Sequence, residues 1–356
     1  MRFMKKILLL PIILISQFFF INCSNNIILE KNEIDTLYFA TWNVENLFDT
    51  IDDPDKDDQD FTPDGELNWT EEKLHQKNKN LAEIINLMNS GKGFDLLGVQ
   101  EVEHKSLLEK LNSDYLKNKN YKIVYAESLD KRGIDNGLFY NSDLFELISY
   151  DTLRVDLADG WPTRYILYAE LILKGSDNKF YVFINHWPSR SGGKDKSEQN
   201  RIAAATVLKN FTDKIISNDL NSRIVIMGDF NDDPTDVSLY ETLQAKELEC
   251  NSGSADKLYN TSIQEFNNGK GTYLYRKEWN MLDQIIISGS LLNGNDIKFI
   301  CNSFEIIKPE IMINKEGNYA GSAIRTFGGK NYIGGYSDHF PVGIKISYKK
   351  VIAIEE

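Results

Sequence analysis

The stretch Arg223-Ile224-Val225-Ile226-Met227-Gly228-Asp229-Phe230-Asn231-Asp232 constrains the fold of this chain most. Four consecutive apolar residues after an arginine predict a buried strand, and Gly228 then turns the chain so that Asp229 and Asn231 project at its end. A carboxylate and an amide two residues apart at a strand mouth suit phosphate chemistry. Taken alone, the fragment also reads as a strand followed by an Asx-rich turn.

The same layout recurs along the chain. Leu37 to Asn43 is rich in strand formers and leads to Glu45, two residues on. Phe94 to Gln100 is a second apolar run, finishing in Gln100-Glu101, and Phe180 to His186 is a third, closed by Trp187-Pro188-Ser189-Arg190. Asp283 starts the apolar run to Ser288, where a buried carboxylate needs a partner. Ser337-Asp338-His339 precedes a final strand, Phe340 to Ile346. Tyr121 to Ala126, Asn136 to Asn141, Leu144 to Leu153 and Arg164 to Leu173 are also strand-like, with Asp135 leading into the second of these. On its own, His186 reads as a hydrogen-bonded structural histidine as readily as a catalyst.

Three helices are expected, one of them a short one over Asp236 to Ala245. Asn68 and Glu71 resemble a capping box opening a helix with Leu74, Leu81, Ile84, Ile85 and Met88 on one face, ended by Gly91. Ser197 to Ser217 is amphipathic, with Ile202, Ala205, Leu208, Phe211 and Ile215 on one face. Residues 311–336 are Gly-rich and aromatic without periodicity, as in a lid or binding loop or a surface excursion. His75 and His104 sit on charged stretches and read as surface residues. Seven aspartates between Asp49 and Asp60 suggest a solvated acidic loop; its alternate carboxylates resemble a calcium loop but lack the required Gly and terminal Glu.

Residues 1–22, with Arg2, Lys5 and Lys6 before an apolar run, have the layout of a signal peptide. Cys23 follows at once, the position of a lipid-bearing cysteine in a bacterial lipoprotein, although Phe20-Ile21-Asn22 lacks the usual small residue. Residues 23–36 then read as a tether, 37–349 as one catalytic domain, and the cell envelope as the address, whether lipid-anchored to a membrane, secreted or periplasmic. Loss of the leader leaves 37 basic against 53 acidic residues, a formal charge of −16. So acidic a chain is no passive polyanion binder, and a phosphate-ester substrate would call for a bound cation. Cys250 and Cys301 are equally open to pairing or to remaining free thiols.

Six motifs in order, Trp-Asn-Val-Glu-Asn-Leu-Phe from Trp42, Val-Gln-Glu-Val from Val99, Asn-His-Trp-Pro-Ser from Asn185, Gly-Asp-Phe-Asn-Asp from Gly228, Leu-Asp-Gln-Ile from Leu282 and Ser-Asp-His-Phe-Pro-Val from Ser337, closely resemble those of the endonuclease/exonuclease/phosphatase superfamily, which includes deoxyribonuclease-I-like nucleases. The resemblance spans about Leu37 to Tyr348. It implies an α/β (α+β) four-layer sandwich: two mixed, mostly antiparallel sheets packed face to face, with helices outside. It further implies that Glu101 is the principal ligand of a divalent ion, with Asn43 and Asp338 completing the site and Glu45 approaching it. Magnesium suits such oxygen donors, with manganese or calcium as alternatives. By the same resemblance, Asp229 handles the attacking water and Asn231 the developing phosphoryl charge. His339 is then held by Asp283, His186 by Asp135, and Arg164 contacts phosphate unless it forms a surface salt bridge.

The leading expectation is thus a monomeric, metal-dependent phosphodiesterase, an extracytoplasmic DNA endonuclease whose partner is nucleic acid. A lipid or inositol phosphate hydrolase is the alternative, with Tyr319, Phe327, Tyr332 and Tyr336 as its aromatic candidates. A noncatalytic surface protein is a third, disfavoured by the intact polar set.

Overall fold

A computed structural model describes residues 29–116, 119–250 and 252–354. Residues Ile34–Lys350 form one compact unit. The expected signal peptide and Cys23 lie outside the described residues. The first strand runs Leu29–Leu47, so the described part of the expected tether is already strand.

Two seven-stranded mixed sheets carry the unit. The first has the order Ile297–Phe299, Val342–Ile354, Leu29–Leu47, Leu96–Val102, Asp135–Asn141, Tyr121–Ala126, with Glu305–Ile306 added beside Val342–Ile354. The second has the order Phe145–Leu153, Ile166–Leu173, Lys179–His186, Arg223–Asp229, Asp283–Ser288, Leu258–Asn260, Ala245–Glu247. Leu37, Phe39, Leu96 and Leu138 of the first sheet pack against Val182, Val225, Met227 and Ile285 of the second, forming the central core. Alternate residues of the same strands face outward. Tyr38, Ala40, Leu97 and Val99 meet Leu81, Ile84 and Leu108 of helices Glu71–Gly91 and Lys105–Tyr115. Phe183, Ile224 and Ile226 meet Ala204, Ala205 and Leu208 of helix Lys194–Asn218. The result is the four-layer sandwich that the resemblance implies.

Two local expectations are corrected. Thr70, not Asn68, caps the first helix, accepting from the Lys73 amide, while Asn68 has a left-handed backbone at φ 45° and donates Nδ2 to the Pro63 carbonyl at 2.6 Å. The Lys194–Asn218 helix is rotated from its expected face: Arg201, Ala204, Leu208, Thr212 and Ile216 are buried while Ile202, Phe211 and Ile215 are only partly so. A buried ion pair, Arg201 Nε to Asp232 Oδ1 at 2.7 Å, accounts for the turn. Cys250 and Cys301 form a disulfide. Among the described residues no helix is long and apolar enough to cross a membrane.

Candidate active site

Strand register alone places much of the site. Asp229 lies opposite His186 on its parallel neighbour and opposite Asp283 on its antiparallel one, so three polar strand ends stand side by side on one rim. In the first sheet Asn43 pairs with Gln100, and the register shift between Asn43 and Leu47 turns the chain at Glu45 and Asn46. Glu45, Asn46, Glu101 and Asn231 all adopt left-handed backbone, with φ of 54°, 51°, 65° and 52°. Strain of this kind, about 1–3 kcal/mol per residue, gathers where function over-determines the backbone. Gly228 is obligatory, since a Cβ there would stand 2.0 Å from the Asn185 carbonyl oxygen.

Asn43 joins the two sheets. Its Nδ2 donates to Glu101 Oε1 and to Asp229 Oδ2, both at 3.0 Å, and its Oδ1 accepts from the Glu45 amide. The second Glu101 oxygen accepts from the Asn46 amide at 3.0 Å. Asp229 Oδ1 accepts from the Asn231 amide at 2.8 Å, and Asn231 Nδ2 donates to the Trp187 carbonyl at 3.0 Å. The last loop is tied on by Ser337 Oγ donating to the Asn43 carbonyl and Trp42 Nε1 donating to the His339 carbonyl.

The two histidines are held in opposite protonation states. His339 Nδ1 bonds Asp283 Oδ2 at 2.7 Å, and its Nε2 lies 4.0 Å from both Asp229 Oδ2 and Asp338 Oδ1. Burial disfavours its charged form, but Asp283, Asp229 and Asp338 outweigh that and raise its pKa well above the ordinary value, making it an imidazolium. Burial, then the cations Arg164, Arg132 and His339, push His186 well below the ordinary value. It is a neutral imidazole, so its 3.7 Å approaches to Glu101 and Asp229 are not ion pairs. Burial pushes the Asp229 carboxyl up to about 7 against the pull of His339. Burial and then Asp338 push Glu45 up to about 7 although Lys77 Nζ lies 3.9 Å away.

These groups open on a cleft of about 950 Å³ lined by Glu45, Glu101, His186, Asp229, Asn231, Asp338 and His339, with Arg132, Arg276 and Arg325 among the rim cations. Glu45, Glu101, Asp338 and Asp229 offer a donor set of carboxylate oxygens, the type a hard divalent ion takes. The arrangement can hold such an ion, hold a proton on His339, and hold a carboxylate near neutrality at Asp229.

Two expected roles are corrected. Asp135 is not hydrogen bonded to His186: its oxygens accept from the Ser128 amide at 2.9 Å and the Tyr125 hydroxyl at 3.2 Å. His186 Nδ1 is buried with no hydrogen-bond partner among the described residues. Arg164 is buried and spends its terminal nitrogens on Asp130 Oδ2 at 3.0 Å and the Trp187 carbonyl at 2.6 Å. It braces the carbonyl that also receives Asn231 and does not line the cleft.

Four residues outside the expected catalytic and metal set also shape the site. Arg190 donates to the Asn231 carbonyl at 2.8 Å, to Asn280 Oδ1 and to Asp233, clamping the turn after Asp229. Tyr273 packs its ring 4.7 Å from that of His339. Lys77 donates to Thr326 Oγ1 and the Tyr336 carbonyl, pinning the long loop beside Glu45, and Arg325 Nη2 lies 3.9 Å from Asp338. Only the Ser-Arg after Trp-Pro hinted at any of these.

The sequence model of the endonuclease/exonuclease/phosphatase family matches residues 38–348. Among solved structures, the chain is similar to truncated Caenorhabditis elegans TDP2 at TM-score 0.53 and 15% identity, covering 88% of this chain and 98% of that one. It is also similar to the human Nocturnin catalytic domain with bound sulfate anion, at TM-score 0.51 and 17% identity over 89% and 97% of the two chains. The mannosyl-6-phosphatase of Bacteroides thetaiotaomicron aligns at TM-score 0.50 and 16% identity over 89% and 99%. At these identities the likeness is one of fold. No curated protein matches the chain.

Proposed function

Because the chain belongs to the endonuclease/exonuclease/phosphatase family, whose members are metal-dependent hydrolases of phosphate esters, we propose that it is a magnesium-dependent phosphodiesterase cutting nucleic acid, DNA foremost, outside the cytoplasm. The donor chemistry supports a hard cation. Carboxylates of Glu45, Glu101, Asp229 and Asp338 converge on one cleft, and burial leaves Glu45 and Asp229 reluctant to ionise without one. Glu101 would hold the ion, with Asn43 and Asp338 beside it and Glu45 within reach. When bound, it supplies Lewis-acid stabilisation of charge on the phosphoryl oxygens.

The protein's own groups do the rest. Asp229, near neutrality and hydrogen bonded by Asn43 and Asn231, orients the attacking water and takes its proton. Asn231 presents its amide to the phosphoryl oxygens as charge builds. His339, an imidazolium fixed by Asp283, binds the same group and can donate a proton. Neutral His186 adds a wall and a hydrogen-bonding partner without adding charge. The carrying observation is the 2.7 Å His339–Asp283 bond set 4.0 Å from Asp229 on a rim that Asn43 links to Glu101.

Arg132 and Arg276 at the cleft, with exposed Tyr275 next to Arg276 and exposed Trp161 under the Lys131 ammonium, support an extended anionic substrate with bases to stack. Exposed Ile311, Tyr319, Tyr332 and Ile333 on the long loop favour the second reading, a lipid headgroup phosphodiester. One assay divides them. The protein is offered plasmid DNA, RNA, sphingomyelin vesicles and inositol phosphates, with magnesium and with EDTA. Metal-dependent nicking of plasmid is expected; turnover of vesicles alone would transfer the assignment to lipid. The envelope address and Cys23 lipidation belong to the same proposal, and loss of palmitate labelling in Cys23→Ala cells is its expected sign.

A further inference from the structure

We propose a second divalent-cation site, separate from the Glu101 centre, formed by Asp49, Glu103 and His104 with the buried carboxylate of Asp58 beside Glu103. One ligand atom each from Asp49, Glu103 and His104 lies within 4.8 Å of the others. Asp58 supplies the independent observation. It is 2% exposed, its carboxylate neighbours that of Glu103, and its Oδ1 has no hydrogen-bond partner among the described residues. Glu103 is equally buried, also at 2%. No lysine or arginine forms an ion pair with Asp49, Asp58 or Glu103 among the described residues; His104 Nε2 is 4.0 Å from Glu103 Oε1, and its Nδ1 3.7 Å from Glu127 Oε1. Carboxylates taken out of water in contact need a cation or a shared proton.

The surroundings shape a seat rather than a random acidic cluster. Glu103 Oε2 accepts from the Asp49 amide at 2.7 Å, and Asp58 Oδ2 from the Asp53 amide at 3.0 Å, so both carboxylates are aimed by the loop backbone. The middle of the acidic stretch plays no part: Asp53 Oδ1 is spent on the Asp55 amide, and Asp55 and Asp57 are exposed. The ligands come instead from the two ends of the loop and from the strand end two residues beyond Glu101. Phe61, just past Asp58, stacks on Phe48 at 4.1 Å and lines the cleft, so a cation here would fix that wall. Three carboxylates suit calcium or manganese, and the imidazole favours manganese of the two.

The test separates this site from the first. The full chain with Glu101→Gln is dialysed to equilibrium against calcium or against manganese, and bound metal is counted alongside the thermal midpoint. One ion per chain and a raised midpoint are expected. Adding Asp58→Asn and Glu103→Gln, near-isosteric changes that keep the contact neutral, should remove both effects. Should that variant fail to fold, Asp49→Asn at the half-exposed position should weaken binding by about tenfold or more. No bound ion with either metal in Glu101→Gln, or binding unchanged by these substitutions, overturns the site and assigns the contact to a shared proton. Calcium and manganese arms that both bind, or only one, identify the ion.

Discussion

Replacing Asp229 by asparagine should make the metal-free protein more stable, by an amount that grows with pH. Burial raises the carboxyl from 3.8 to about 7 although His339 pulls it down. A carboxyl raised in the folded state binds its proton there while the unfolded chain has released it, so stability falls as pH climbs between the two values. At about 1.4 kcal/mol per decade of proton affinity, the full cost at pH 8 is roughly 4 kcal/mol, against under roughly 2 kcal/mol at pH 5. Asparagine removes that cost but turns an NH2 toward Asn43 Nδ2, which now donates to Asp229 Oδ2 at 3.0 Å. Two donors facing each other cost about 2 kcal/mol. The variant should therefore equal the wild type at pH 5 and exceed it by roughly 2 kcal/mol at pH 8, read by urea denaturation in EDTA. Turnover should be lost by orders of magnitude at every pH. A variant less stable at pH 8, or a difference that does not move with pH, would refute the account of Asp229 as a carboxylate held ionised at a cost.

Asp283→Asn should lower the His339 pKa, because Asp283 is the foremost charge opposing burial at that ring; imidazole NMR titration should show the drop, and the alkaline limb of kcat/KM should move to lower pH. Lys77→Met removes the bonds to Thr326 and the Tyr336 carbonyl, so KM should rise with stability lowered by about 1–3 kcal/mol; unchanged KM would separate the long loop from substrate binding. Reducing the Cys250–Cys301 disulfide, with a sequence separation of 51, should cost about 4 kcal/mol by loop entropy, seen as a lower unfolding midpoint under reductant.

Much of the rim was legible in the sequence because central strands announce themselves. A run such as Ile224 to Met227 is buried on both faces, so its first polar residues must mark the edge of the sheet. Register then brings His186, Asp229 and Asp283 together without further information. Partner choice was not legible. Asp135 stands on the first sheet beside Tyr125 and Ser128, while His186 stands on the second, and nothing in the spacing tells which carboxylate faces which ring. The partner of Arg164 was hidden because Asp130 sits in a turn of the other sheet's hairpin. Lys77 and Thr326 meet across 249 residues, a distance no local pattern encodes. The rotation of the Lys194–Asn218 helix hid for a related reason: a buried arginine counts as polar in any periodicity, yet its partner Asp232 makes it core.

Charge at the cleft sets how the protein would hold a polyanion. Of the rim cations, Arg190 is neutralised by Asp233 and Asp236, Lys194 by Asp236, and Arg325 faces Asp338. Arg132 has Asp130, at 3.4 Å, though its side chain is half exposed. Arg276, beside the Tyr275 ring, has no acidic partner among the described residues. Two or three phosphates are therefore the most that the protein side can neutralise, on a chain of formal charge −13. Each contact contributes about −0.9 to the slope of log K against log salt on duplex, so the slope should lie near −2 to −3. Fluorescence anisotropy with a duplex probe and an inactive Asp229→Asn variant, run from low to moderate salt in calcium, measures it. Arg276→Ala should reduce the slope by about one. A slope steeper than about −5 would mean a basic surface beyond this cleft, and the single-cleft account of substrate binding would fail.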